Sequence, residues 1–255
     1  MKTSITEKIS IKAQKPILIE GLPGLGMVGR IATRYLAKQL KAKKFALLYS
    51  PHFPYYVVVN KKGNTRLLRG EFRYWKNSEG NDLILFTGDS QAQTIEGQYE
   101  IAETILDFAK KHNIEAIITL GGYREEAEET PHVIATATDP KILGEAIDAG
   151  ASLSPPGNPI VGTAGLLVGM ARFKEIPAVC LLGETRGYLP DPKAAKSLLL
   201  VLKRMLKIDM GLDSLDQDIV KSDKILEKMR QIETRRETYA RKTRKSEEGK
   251  ITYIS

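Results

Sequence analysis

The sequence predicts an α/β protein, a three-layer α/β/α domain on a mixed, largely parallel sheet, with a helical extension on its C-terminal side. Short apolar runs alternate with segments of helical periodicity, the rhythm of a parallel α/β sheet. Four of the apolar strands run into glycine, at Gly21, Gly88, Gly121 and Gly183. In a parallel sheet such carboxyl ends gather on one edge, where α/β folds commonly bind ligands. The stretch Ile17 to Gly29, ILIEGLPGLGMVG, reads as strand, tight turn and helix, and within it Gly24 to Gly29 spells the G-x-G-x-x-G of dinucleotide-binding folds.

Taken in order, Met1 to Gln14 is polar with scattered isoleucines and suits an edge strand. After the glycine turn, Val28, Ile31, Ala32, Tyr35, Leu36 and Leu40 recur at helical spacing. Phe45 to Tyr49 is the next strand, stopped by Ser50-Pro51. Tyr55 to Val59 and Thr65 to Phe72 flank the turn Asn60 to Asn64, an antiparallel hairpin expected to make the sheet mixed. Strand Leu83 to Thr87, helix Ile95 to His112 and strand Ala116 to Leu120 follow, then an acidic loop over Arg124 to Thr130. His132 to Thr138 is strand-like, and Asp139-Pro140 supplies an N-cap and first residue for a helix through Ala149. The small-residue segment Gly162 to Ala171 reads as a buried helix, Ala178 to Leu182 as a strand, and Pro190-Asp191-Pro192 as the start of the domain's last helix.

Residues 1–211 are assigned to the α/β/α domain, 212–245 to a helical extension and 246–255 to a flexible tail. In the extension, Leu212, Leu215, Ile219, Leu226, Met229 and Ile232 form an apolar stripe, a candidate oligomerisation element. After the charged run RKTRKSEEGK, the sequence closes on Ile251, Tyr253, Ile254 and Ser255, a candidate partner-binding tip on a solvated tether.

Composition narrows the function classes. The formal net charge is +8, but the excess is uneven: between Arg30 and Lys76 twelve basic residues stand against one acid, Glu71. Arg30, Arg34, Lys38 and Lys41 fall on one helical stripe. Such a stripe is either a solvated face or a surface for an acidic partner; it lacks the interleaved aromatics expected of a nucleic-acid site, so nucleic acid is disfavoured. No apolar run is long enough for a membrane span and no signal-peptide region follows Met1, so a cytoplasmic protein is expected. The single cysteine, Cys180, lies in an apolar run and reads as a buried strand residue. The three histidines, His52, His112 and His132, make no short-range ligand pair, so neither metal nor cofactor is expected.

The dinucleotide fingerprint demands an acid at the end of the second strand for the ribose hydroxyls. That strand ends Leu48-Tyr49-Ser50-Pro51, without one. No nucleophile elbow or other catalytic signature appears, and no enzyme activity is assigned. The alternative is a nucleotide- or phosphate-binding enzyme using the loops at Gly24, Asp89, Gly121 and Glu184.

Together, EGLPGLGMVG, FTGDSQ, TLGGY, VIATATD, IVGTAGLLVG and LLGETRGYLPDPKAA resemble the proteasome assembly chaperone 2 family in its archaeal form, over about Pro16 to Leu212. The resemblance implies a nucleoside-phosphorylase-like α/β/α fold without catalysis, and self-association. It also implies binding to proteasome α subunits through a C-terminal hydrophobic-tyrosine-any-residue motif. Here Tyr253 is third from the end and Thr252 precedes it, a departure from that pattern. The expected function is a non-enzymatic, oligomeric chaperone-like protein or adaptor, its partner the proteasome α subunits or a related complex.

Overall fold

The computed structural model describes residues 1–125 and 130–225. Strand β1 (Ser4–Glu7) lies on one edge of the main sheet, and β2 (Ile17–Glu20) in its middle. A 3-10 turn, Leu25–Met27, leads into helix α1 (Val28–Gln39), whose Val28, Ala32, Tyr35 and Leu36 recur every three or four residues and are buried. Strand β3 (Lys43–Tyr49) follows, then a short hairpin of β4 (Val57–Val59) and β5 (Thr65–Leu67). Strands β6 (Gly70–Trp75) and β7 (Leu83–Gly88) return to the main sheet.

Helix α2 (Ile95–Lys111) begins at Thr94, whose hydroxyl accepts the Gly97 N–H, and ends on Lys110 and Lys111, which suit the negative end of its dipole. Strand β8 (Ala116–Arg124) runs through the centre, and β9 (Val133–Ala137) precedes α3 (Pro140–Asp148), capped by Asp139 with Pro140 at its first position. Strand β10 (Ser152–Leu153), helix α4 (Thr163–Ala171), strand β11 (Ala178–Thr185) and helix α5 (Pro192–Leu206), capped by Asp191, complete the domain.

The main sheet has nine strands in the order β1-β3-β6-β7-β2-β8-β11-β9-β10. Alternate residues of its central strands face opposite layers: in β7, Leu83 and Leu85 join α1, α3 and α5, whereas Ile84 and Phe86 join α2 and α4. The second core is aromatic, with Phe72 stacked on Phe86 at 4.4 Å between ring centroids.

Three expectations are corrected. The sheet is only partly parallel. Its β7–β2, β2–β8, β8–β11 and β9–β10 ladders are parallel, but β1–β3, β3–β6, β6–β7 and β11–β9 are antiparallel. The reason is that β3, β6 and β7 follow one another with no helical crossover between β3 and β7, and consecutive strands joined that way run antiparallel. The largely parallel, nucleoside-phosphorylase-like sheet is therefore not the architecture found. Second, the β4–β5 hairpin does not make the main sheet mixed; it forms a separate two-stranded sheet. Third, Gly121 and Gly183 do not end their strands. The β8–β11 ladder continues past them to Arg124 paired with Thr185, because glycine there admits a close neighbour and leaves the backbone bonds intact.

Beyond α5 the chain is helical again over 213–225. Leu215, 1% exposed, and Leu212 pack into the core shared by α1 and α5. The Tyr35 hydroxyl donates to the Gly211 carbonyl at 2.9 Å, which holds the start of this helix on the domain. Among the described residues no helix is long and apolar enough to cross a membrane.

Candidate functional site

The glycine corner between β2 and α1 is the first place to look for a ligand. A Cβ on Gly29 would lie 2.0 Å from the Leu120 carbonyl oxygen, and one on Gly21 would lie 2.1 Å from Thr33 Oγ1. Gly29 lets α1 rest on β8, and Gly21 lets the end of β2 pass close under α1. Gly26 has φ +57°, a left-handed turn that glycine adopts without strain. Gly24 is different, for a Cβ there meets only Gln91 Nε2, at 3.6 Å.

Gln91 lies against the glycine turn, its Nε2 the nearest atom to a Cβ built on Gly24. Its Nε2 donates to the Pro23 carbonyl at 2.6 Å, and its Oε1 accepts the Thr163 N–H at 3.0 Å. One side chain thus ties down the glycine turn and caps the N-terminus of α4, the position at which a helix would otherwise receive an anion. The Thr163 hydroxyl in turn donates to Gln98 Oε1 at 2.8 Å.

The other loops on this edge are engaged in the same way. Asp89 takes both Nη atoms of Arg66, at 2.5 and 3.0 Å, and the Arg69 N–H at 3.1 Å. Burial pushes its carboxyl up, but the Arg66 guanidinium and the Arg69 N–H outweigh that and hold it below the usual range. Glu184, buried, accepts the His132 N–H at 2.9 Å. A Cβ at Gly121 would meet Leu182 Cδ2 at 2.8 Å. The alternative reading of a nucleotide- or phosphate-binding enzyme therefore finds each of its loops closed by the chain's own groups.

The remaining reactive side chains do structural work. His52 sits between Glu100 Oε2 at 2.9 Å and Thr94 Oγ1 at 3.0 Å, a hydroxyl-imidazole-carboxylate order that the sequence separation hides. Thr94 is already the N-cap of α2, and Glu100 also accepts the Thr3 N–H, so the group pins the N-terminal segment to that helix. Among the described residues no group of histidine, cysteine and carboxylate could hold a metal ion. Cys180 is buried in β11 and burial pushes its thiol up to about 12, so it is no thiolate.

Glu20 is a residue that sequence reasoning missed. It is 1% exposed, and Oε1 accepts the Leu22 N–H at 2.9 Å while Oε2 has no partner among the described residues. Burial pushes its pKa up to about 8, and the Leu22 bond offsets only part of that. In register beside it stand Thr119 and then Cys180, a polar row across the central strands. The sequence carried only part of the signal, an acid directly after Ile17-Leu18-Ile19; the strands on both sides of it come from the fold.

The open site is on the other side of α1. A groove of about 1150 Å³ runs between α1, the β4–β5 hairpin and β6, lined by Arg30, Arg34, Lys38, Lys41, Tyr56 and Arg66 among others. Its acids are consumed locally. Asp89 pairs with Arg66, and Glu71 is shared by Arg69 at 2.8 Å, Arg73 at 3.1 Å and Lys44 at 3.6 Å. The four α1-side cations predicted as a stripe do lie together, and none has an ion pair among the described residues. Burial, then the neighbouring Arg34, push the Arg30 pKa down, and its buried Nε has no acceptor. The hairpin beside the groove exposes Tyr55, Val57, Val59 and Leu67.

Of the predicted oligomerisation stripe, Leu212 and Leu215 pack on their own domain and Ile219 is half-buried. Leu226, Met229 and Ile232 lie outside the described residues, as do the tail residues Ile251, Tyr253, Ile254 and Ser255.

Comparison with known proteins gives one consistent result. A family model described as the PAC2 family matches residues 18–230. A Methanocaldococcus jannaschii protein without assigned function is 32% identical over 221 residues, 86% of this chain and 85% of its own. The crystal structure of Pyrococcus furiosus PbaB, an archaeal proteasome activator, superposes with a TM-score of 0.85 at 36% identity over 90% of this chain and 99% of that one. That of Pyrococcus furiosus PbaA, an archaeal homolog of proteasome-assembly chaperone, gives 0.73 at 27% identity over 92% and 99%. The fold is the one these proteins share, which replaces the nucleoside-phosphorylase-like description.

Proposed function

Because this chain belongs to the PAC2 family, we propose that it is a non-enzymatic chaperone or adaptor acting on the proteasome, in the manner of an assembly chaperone or an activator. The observation that carries this reading is the whole-domain likeness to PbaB, a proteasome activator. The closed glycine corner supports it, since the domain's chemistry-bearing edge is engaged by its own Gln91 and the binding capacity lies on outer surfaces. The partner is the ring of proteasome α subunits, or a related complex, in the cytoplasm. The segment Ile251, Tyr253, Ile254 and Ser255 is the docking element, a short apolar-aromatic recognition sequence. Recovery of α subunits on the immobilised full chain should fall to background when the last five residues are deleted. Equal recovery would remove the tail from the mechanism.

Self-association belongs to the same proposal. Val220 and Ile225, 52% and 54% exposed, continue the helix after Leu215, and Leu226, Met229 and Ile232 extend the apolar sequence. Leu215 already serves its own core, so the partner copy is met by the residues after it. Light scattering should give a multiple of the 28.3 kDa chain mass for the full chain and a single-chain mass after truncation following Ile225. Identical assembly states would place the interface elsewhere.

A further inference from the structure

We infer that the groove between α1 and the β4–β5 hairpin is a second binding site, for an extended acidic peptide segment of a partner protein, separate from the tail. Internal pairing leaves positive charge over on one side of the groove. Asp89 and Glu71 satisfy Arg66, Arg69, Arg73 and Lys44, while Arg30, Arg34, Lys38 and Lys41 have no ion pair among the described residues. Arg30 is held in the groove with a buried Nε that lacks an acceptor and with Arg34 as a like-charged neighbour. A carboxylate entering the groove relieves the repulsion between these like charges.

Spacing and surroundings select the form of the ligand. Arg30, Arg34 and Lys38 are four residues apart, so they climb the helix in steps of about 6 Å. In an extended peptide, alternate side chains on one face recur about every 6.6 Å. Acids at every second position can therefore meet the three cations in turn, with the intervening side chains directed away. On its hairpin side the groove is lined by Tyr56, Val58 and Leu68, which suits apolar residues at the intervening positions. A nucleic acid fits less well. Tyr56 is the one exposed aromatic among the groove's lining residues, whereas successive bases need several on which to stack.

The test uses the intact chain and a fluorescent peptide of repeated Glu-Val-Glu-Leu, with its Gln-for-Glu counterpart and a single-stranded oligonucleotide of equal charge as comparators. Binding is read by anisotropy. Two double variants change the net charge equally: Arg34→Glu with Lys38→Glu in the groove, and Lys110→Glu with Lys141→Glu, which do not line it. Matching urea midpoints establish that both remain folded. The acidic peptide should bind and the Gln peptide should not. The groove variant should bind it about tenfold more weakly and the control within about twofold of the parent. Absence of peptide binding, equal weakening in both variants, or an oligonucleotide bound more tightly than the peptide would each overturn the inference.

Discussion

Gly29→Ala should destabilise the domain by about 3 kcal/mol, although alanine favours a helix more than glycine does. The added Cβ would stand 2.0 Å from the Leu120 carbonyl oxygen, a backbone atom in a central strand that cannot rotate aside. Relief requires α1 to lift from β8, which loosens Val28, Ala32 and Leu36 from the shared core. Gly24→Ala is the matched control, because Gly24 has φ −159°, extended backbone open to any residue, and its nearest neighbour is at 3.6 Å. That variant should stay within about 0.5 kcal/mol of the parent. Urea unfolding of the two variants checks the pair. Comparable losses at both positions would mean that the turn, and not the helix-strand contact, is what the glycines serve.

Glu20→Gln should change the pH dependence of stability. In the native state the Glu20 carboxyl keeps its proton up to about pH 8, while its ordinary value is 4.5. Between those values the folded chain holds a proton that the unfolded chain has released, so stability is fullest below the lower value and falls as pH rises toward the upper one. The whole change is roughly 5 kcal/mol from this one group, less whatever relaxation the native state allows. Glutamine is uncharged throughout and keeps an oxygen for the Leu22 N–H. Its variant should therefore gain on the parent progressively between about pH 5 and about pH 8. A difference in unfolding free energy that stays constant across that interval would contradict the assignment.

Both predictions concern the same stretch, Ile17 to Gly29, and they show what could be read in it. The strand, the turn and the helix were legible because apolar spacing and glycine density are local. So was the absence of a ribose-binding acid after Tyr49, which already weakened the nucleotide reading. The stripe Arg30, Arg34 and Lys38 was legible as one helical face for the same reason. That Gln91 closes the corner was not, because it stands 68 positions from Pro23 and 72 from Thr163. Glu20 was passed over because an acid next to a glycine turn looks solvated until the neighbouring strands are placed on both sides of it.

The sequence by itself determined the alternation of strands and helices, the helix starts at Asp139-Pro140 and Pro190-Asp191-Pro192, and the family that the ordered motifs resemble. These depend on the periodicity and turn chemistry of adjacent residues. Only the tertiary structure decided which strands pair and in which direction, that the hairpin stands apart from the main sheet, and that Leu215 serves its own domain. It also decided that Asp89 and Glu71 are used up by nearby arginines and lysines while the cations of α1 are not. Strand order and charge pairing follow from which distant segments meet, and a linear pattern does not carry that information.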